Sequence, residues 1–227
     1  MNQTQEYNAG VKSIFKMLAP FYDAIALPLL RVRRQVVALT TARSGTRVLD
    51  IATGTGAQAF AFAKQGCKVT GIDLSEAMIG VARRKNRYAN LNFEVGDATS
   101  LPFDDGSFDI SIISFALHMM PLSISEKVLN EMNRVTRPGG NIVIADLALP
   151  KSGMSRFLIY HLFRLYDDRH YQAFLKLGLE ELLKKTIKID QEISMLFGGV
   201  RIIKGTGLLK EQLSAQSEYL WHQEPTC

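Results

Sequence analysis

The chain has 227 residues, 47% of them hydrophobic and 22% charged, an ordinary globular composition that favours one elaborated domain with a sizeable core over two. Its two cysteines, Cys67 and Cys227, exclude a disulfide framework and read as free thiols of a cytoplasmic protein. No apolar run reaches the ~18 residues that span a bilayer, and the polar N-terminus lacks a signal-peptide pattern. The formal net charge of +5 admits nucleic acid, an anionic membrane surface or an acidic substrate as partner. The bases are nevertheless scattered, with short clusters at Arg31–Arg34, Arg83–Arg87 and Lys184–Lys188, as solvated helix faces are.

In chain order, residues from about Gly10 to Thr41 read as helical, with breaks near Pro20 and Pro28. Arg47–Ala52 is a short apolar run ending in a glycine turn, and Ala57–Gln65 a helix closed by Gly66. Lys68–Asp73 is a second strand. Ser75 can cap the helix after it, with Glu76 at the positive end and Arg83, Arg84 and Lys85 toward the negative end. Asn92–Val95 and Phe108–Ile113 are further strands, and Leu129, Met132 and Val135 mark the inner face of the next helix. Arg137-Pro-Gly-Gly140 breaks that helix before a fifth strand, Asn141–Ala145. Strands alternating with helices predict a parallel sheet covered on both faces, with ligands bound beyond the carboxyl ends of the strands. Every motif described next is expected at such an end.

After Pro150 the pattern changes. Ser155–Tyr166 is nearly apolar all round, Tyr171–Lys185 is a second helical segment, and Glu192–Leu196 with Val200–Lys204 is a closing strand pair around Gly198-Gly199. The divisions are an N-terminal helical lid segment (1–42), a cofactor-binding core (43–148), lid helices with closing strands (149–207) and a polar tail (208–227), one structural domain overall.

The strongest local signal is Val48-Leu-Asp-Ile-Ala-Thr-Gly-Thr-Gly-Ala57. Gly54 and Gly56 permit a tight strand-to-helix turn and close approach of a ligand, flanked by Ala52 and Thr53. The same run satisfies the dinucleotide fingerprint. Asp50 discriminates: a carboxylate there repels a pyrophosphate and suits a ligand bearing a sulfonium and an ammonium. Asp73, ending the second strand, can accept hydrogen bonds from ribose hydroxyls, and Leu74 and Met78 can pack on an adenine ring. Asp97, in Gly96-Asp-Ala98 after the third strand, can accept from an exocyclic adenine amine. Asp50, the Gly54/Gly56 turn, Asp73, Gly96-Asp97, Pro102-Phe103 with Phe108-Asp109, and Arg137-Pro-Gly-Gly140 follow in order.

This series resembles the class I S-adenosylmethionine-dependent methyltransferases from about Arg47 to Leu147. The resemblance implies a Rossmann-like α/β fold with a mostly parallel sheet, a C-terminal antiparallel strand, helices on both faces and a helical lid. The run Ser13–Asp23 is similar to the segment before the core in the ubiquinone/menaquinone C-methyltransferases and the bacterial phosphatidylethanolamine N-methyltransferases. By that similarity Tyr22 contacts the methionine end of the cofactor above Gly54, Asp73 the ribose, and Asp97 with Ala98 the adenine, while Ser114 and Phe115 border the methyl group. Phe115-Ala-Leu-His-Met-Met-Pro121 departs from the basic-polar pair usual in quinone methyltransferases and looks more like the generic or phospholipid-type members. His118 within it is the candidate proton acceptor.

Methyl transfer from a sulfonium is an in-line displacement with a neutral thioether leaving group, so the protein's main task is positioning. A base is needed only where the acceptor must lose a proton. The acceptor expected is small and hydrophobic: a lipid headgroup, a quinone or another small molecule, held by the N-terminal helices and by Phe157, Leu158, Ile159, Tyr160, Leu162, Phe163, Leu165 and Tyr166. Phe15, Met17, Leu18, Phe21 and Ile25, beside Arg31, Arg33 and Arg34, suggest peripheral contact with a membrane. A NAD-dependent oxidoreductase shares the glycine turn and Asp73 but does not call for Asp50 or Asp97, and no Tyr-x-x-x-Lys pair stands at a strand end. A nucleic-acid partner is not expected, because the Asn/Asp-Pro-Pro-Tyr type of motif is absent after the fourth strand. Two cysteines are too few for an arsenite methyltransferase, and no metal is called for. A non-catalytic S-adenosylmethionine-binding protein would carry the same binding motifs. The oligomeric state and the accepting atom stay open.

Overall fold

The computed structural model describes residues 3–150, 153, 157, 174 and 179–208. Its centre is a seven-stranded sheet in the order β3-β2-β1-β4-β5-β7-β6. The strands are β1 (Arg47–Ile51), β2 (Lys68–Asp73), β3 (Leu91–Val95), β4 (Phe108–Ser114), β5 (Thr136–Leu147), β6 (Ile187–Met195) and β7 (Val200–Gly207). The first five run parallel, and β7 is antiparallel to both β5 and β6. Before the sheet come α1 (Gln3–Leu18), α2 (Tyr22–Ile25), a 3-10 turn at Leu27–Leu29 and α3 (Leu30–Thr40). Between the strands lie α4 (Ala57–Ala63), α5 (Glu76–Lys85), α6 (Leu122–Val135) and α7 (Leu179–Leu183).

The strands alternate because both faces of the sheet are buried. Leu49, Ile51, Ile113, Ile142 and Ile144 point into a core completed by Val128, Leu129, Met132 and Val135 of α6. Val48, Ile110, Ile112, Val143 and Ala145 point the other way, onto Val32 and Val36 of α3, Phe62 of α4, and Ile79 and Ala82 of α5. Leu129 and Met132 are fully buried, so truncating either to alanine costs about 2–5 kcal/mol. Ser75 caps α5 as expected, its hydroxyl accepting from the Met78 amide.

The strand order reverses direction between β1 and β4, which opens a crevice at their carboxyl ends. Two motifs do not lie there. Phe108-Asp109 and Arg137-Pro-Gly-Gly140 sit at the amino ends of β4 and β5, where Asp109 accepts from the Arg47 amide at 2.9 Å and from Arg137 Nε at 2.8 Å. The expectation that every motif marks the ligand edge is corrected for these two: they clasp the opposite edge, where chain direction brings strand starts together. The Pro-Gly-Gly run also lies inside β5, with the register shift between Phe108 and Ile110 absorbing it. β6 begins five residues before the expected Glu192, because its exposed polar residues, Lys188, Asp190 and Gln191, suit an edge strand. The expected helix at Ser155–Tyr166, most of the acceptor-lining residues after Pro150, and the tail beyond Leu208 lie outside the described residues.

Candidate active site

A cavity opens at the carboxyl ends of β1, β2 and β4, roofed by α1 and Tyr22. Its space, counted out to the open mouth, is about 770 Å³. Of the residues assigned to the cofactor from the sequence, Tyr22, Ala52, Gly54, Asp73, Leu74, Met78, Asp97, Ala98, Ser114 and Phe115 are brought together in its lining. Spacing on α1 adds a wall that the sequence motifs did not announce: Tyr7, Asn8, Val11 and Phe15 recur on one helix face. Ala116, Met119, Met120, Ile124 and Val128 extend the lining as an apolar floor.

The loops that build this site are locally strained. Ala52 (φ 52°) and Phe115 (φ 55°) are non-glycine residues in the left-handed region, at the ends of β1 and β4. Such a residue costs of order 1–3 kcal/mol and typically persists where surroundings over-determine it, often at ligand sites. Gly54 (φ 55°) lies under the Tyr22 ring, which a Cβ would meet at 3.7 Å. Gly56 has a different duty. It lines no cavity, and a Cβ there would stand 2.5 Å from the Phe93 ring, so Gly56 lets the turn pack on β3.

Asp73 ties two loops together. One carboxylate oxygen accepts from the Gly54 amide and the other from the Ser75 amide, each at 2.8 Å. Burial pushes its pKa up, and those two amides oppose the rise. Asp97 accepts from the Thr99 amide at 2.8 Å and from Asn8 Nδ2 at 3.2 Å, so α1 is fastened to the loop after β3. A second tie runs from Asp23 to Thr55 Oγ1 and to Lys85 Nζ, both at 2.5 Å.

Beside the main cavity, and sharing Tyr22, Ala52, Gly54, Ser114 and Phe115 with it, is a smaller polar cleft bounded by Arg33, Asp50, Thr53, Thr55 and Gln58. Asp50 is buried and accepts from Thr53 Oγ1 at 2.5 Å. Burial pushes its carboxyl up to about 7, against the Thr53 hydrogen bond and the Arg33 charge. Burial likewise pulls the Arg33 guanidinium below its ordinary value. Gln58 Oε1 and Ser114 Oγ are buried without a hydrogen-bond partner. A buried orphan polar atom costs about 1–3 kcal/mol, and two of them around one cleft mark a place made for a polar guest. A guanidinium, a carboxyl and two oxygens can receive the carboxylate and ammonium of an amino acid, while the adjoining cavity offers Asp73 to a ribose and an apolar slot to a base. The residues present therefore fit S-adenosylmethionine.

His118 is buried but lines neither space. Its Nδ1 lies 2.5 Å from Asp146 Oδ1, and its ring meets Phe174 edge-on at 6.4 Å. Asp146, at the end of β5, also accepts from the amides of Leu117 and His118.

The model of the family described as "Methyltransferase domain" matches residues 48–140. The demethylmenaquinone methyltransferase of Clavibacter sepedonicus is 38% identical over 180 residues, covering 77% of this chain and 68% of that protein. The chain belongs to the class I S-adenosylmethionine-dependent methyltransferases. Another relative, the demethylmenaquinone methyltransferase of Renibacterium salmoninarum, is 41% identical over 151 residues, 64% of this chain and 62% of its own length. The chain thus spans less than two thirds of that relative. Among solved structures, the PH0226 protein of Pyrococcus horikoshii superposes with a TM-score of 0.66 at 25% identity, over 82% of this chain and 91% of that one. Asn8, Arg33, Gln58 and Asp146 are the residues around the candidate site that no motif signalled. Asn8, Arg33 and Asp146 stand remote in sequence from the glycine turn, whereas Gln58 follows it directly.

Proposed function

We propose that the chain transfers a methyl group from S-adenosylmethionine to a quinone-type acceptor in its reduced, hydroxylated form. The observation that carries this is the pairing of a zwitterion-sized polar cleft with an apolar cavity across the Tyr22–Gly54 contact. The relatives' names supply the acceptor class, and the apolar floor of Met119, Met120, Ile124 and Val128 suits it.

In this reading Arg33, Asp50 and Gln58 hold the methionine end, Asp73 the ribose, and Asp97 with Leu74, Met78 and Ala98 the adenine. The cofactor supplies an electrophilic methyl on a sulfonium. The chain's work is to set an acceptor carbon in line with that bond and to keep water out. Bond formation at the acceptor carbon would accompany loss of the methyl from the sulfonium; the hydroxyl proton would leave before attack, and the ring proton would then leave the methylated carbon as the oxygen regains its own, one proton being released overall. His118, steadied by Asp146 beside the Ala116–Met119 turn, takes the hydroxyl proton. An acceptor of this solubility resides in lipid, so the proposal includes peripheral association with a membrane. No helix among the described residues is long and apolar enough to cross one.

The test is isothermal titration with S-adenosylmethionine, S-adenosylhomocysteine and NADH, on the wild type and on Asp73→Ala, followed by a methyl-transfer assay with a reduced demethylated naphthoquinone. Micromolar binding of the first two, lost in the variant, together with turnover, supports the reading. Binding of NADH alone would move the chain to the oxidoreductases, and cofactor binding with no turnover on any acceptor would leave a binding protein.

A further inference from the structure

An amphipathic helix needs one apolar face, and α1 carries two. Tyr7, Val11 and Phe15 look into the cavity. On the other side Ile14 and Met17 are exposed, and the chain that follows exposes Phe21, Leu27 and Leu30, with Met17 71% and Phe21 70% accessible. Five large apolar side chains standing in water within seventeen residues is more than a monomer's ordinary scatter. The packing of Phe15 edge-on against Tyr22, with ring centres 6.1 Å apart, folds this stretch back on itself. The sequence reading placed Phe15 on the outer face, and the structure turns it inward.

The charges around this surface are mostly positive, with Glu76 of α5 beside Lys12 and Lys16. Residues 9–34 contain five bases and one acid. The acid, Asp23, is held by Thr55 and Lys85, and Arg33 is turned to the cleft. Lys12, Lys16, Arg31 and Arg34 remain exposed. A second apolar tip rises from the same edge of the sheet. β7 starts at Val200 opposite Leu147, the last residue of β5, so the β6–β7 turn lies at the carboxyl edge beside the site. There Leu196 (φ 50°) and Phe197 (φ 57°) are consecutive left-handed residues, and Phe197 is 90% accessible. Strain that presents an aromatic side chain to solvent is a functional signature rather than a folding one.

We infer that this face, formed by Ile14, Met17, Phe21, Leu27 and Leu30 with Lys12, Lys16, Arg31 and Arg34, seats the protein on an anionic lipid bilayer, with Phe197 as a second anchor. Bases attract anionic headgroups and the apolar side chains enter the headgroup–acyl boundary. The face is contributed by α1, which roofs the cavity, and by the turn and helix start that follow it. The inference rests on the proposed lipid-soluble acceptor for its purpose, and on exposure and charge for its existence.

The experiment is co-sedimentation of the protein with phosphatidylglycerol-containing vesicles and with pure phosphatidylcholine vesicles, at low and high salt. The wild type is compared with Met17→Ser/Phe21→Ser and with Phe197→Ser. All three substituted side chains are exposed, and thermal melts verify folding. Binding to the anionic vesicles, weakened at least tenfold by the double variant and by salt, is expected. Absence of binding, or equal binding by the double variant, overturns the inference. A dimer in light scattering that the double variant dissolves also overturns it, because the occupant is then a second copy. Titration with S-adenosylmethionine without vesicles reads the cavity alone. Failure of that titration strikes the proposed function, and failure of sedimentation with the titration intact strikes only this surface.

Discussion

Asp146 Oδ1 stands 2.5 Å from His118 Nδ1 while its other oxygen accepts the Leu117 amide at 2.9 Å. One carboxylate thus fixes both the ring and the turn that carries it. If His118 takes the acceptor's proton, His118→Gln lowers kcat on the order of 100-fold, with cofactor Kd within about twofold of wild type. A role in packing alone predicts unchanged kcat and a lower melting temperature, so steady-state kinetics and a thermal melt together separate the two.

The Asp73 carboxylate is held by two amides, and in the proposed function it also receives the ribose. Asp73→Ala removes charge-assisted hydrogen bonds worth about 1.5–3 kcal/mol each, so S-adenosylmethionine affinity falls at least roughly 10-fold. Asp73→Asn keeps the size but cannot accept from Gly54, Ser75 and the ribose together, and its affinity is expected between the two. Calorimetric titration reads both. An Asp73→Ala protein that binds as tightly as wild type would remove Asp73 from the site.

The carboxyl of Asp50 is raised to about 7 in the ligand-free protein, against about 3.9 in an unfolded chain. The fold therefore favours the neutral form. Its stabilising contribution is whole below about pH 4 and is lost as pH rises toward about 7. A cationic ammonium beside Asp50 favours the ionised form, so cofactor binding expels a proton below about pH 7. Affinity should rise from about pH 6 to about pH 8 and then level. Calorimetry in buffers of different ionisation enthalpy counts the proton, and Asp50→Asn should abolish the dependence.

The two glycines of the turn separate by consequence. Gly56→Ala meets the Phe93 ring and a φ of 84°, and should destabilise the fold by more than the ~1 kcal/mol of backbone strain alone. Gly54→Ala meets strain but only ordinary contact with Tyr22. It should spare most stability and weaken cofactor binding instead. Melting temperatures and titrations of both variants check this, and the reverse order would contradict it.

Most of the lining of the main cavity was legible because it is written in short local spacings. A strand, a turn and an acid at the next strand's end place Gly54 and Asp73 wherever the sheet is built. Asn8, Arg33 and Gln58 were not legible, because a residue on a helix declares its face and not the neighbour that face will meet. Phe108-Asp109 and Arg137-Pro-Gly-Gly140 show the opposite error. Sequence order marked them as strand boundaries, but only chain direction tells a strand's start from its end. His118 was found as a residue type in a suggestive loop. Asp146, 28 residues onward, could be joined to it only by the parallel pairing of β4 with β5.

Polar ties on the roof over the cavity, among the described residues, include Asn8 to Asp97, and Asp23 to Thr55 and Lys85. The Asp23–Lys85 pair is partly exposed and therefore weak and salt-screened. This makes the roof a clock as well as a wall. If the chain cycles the cofactor as proposed, spent cofactor is exchanged for fresh past this roof, and weakening the Asp23–Lys85 tie is expected to shorten the stay of the cofactor.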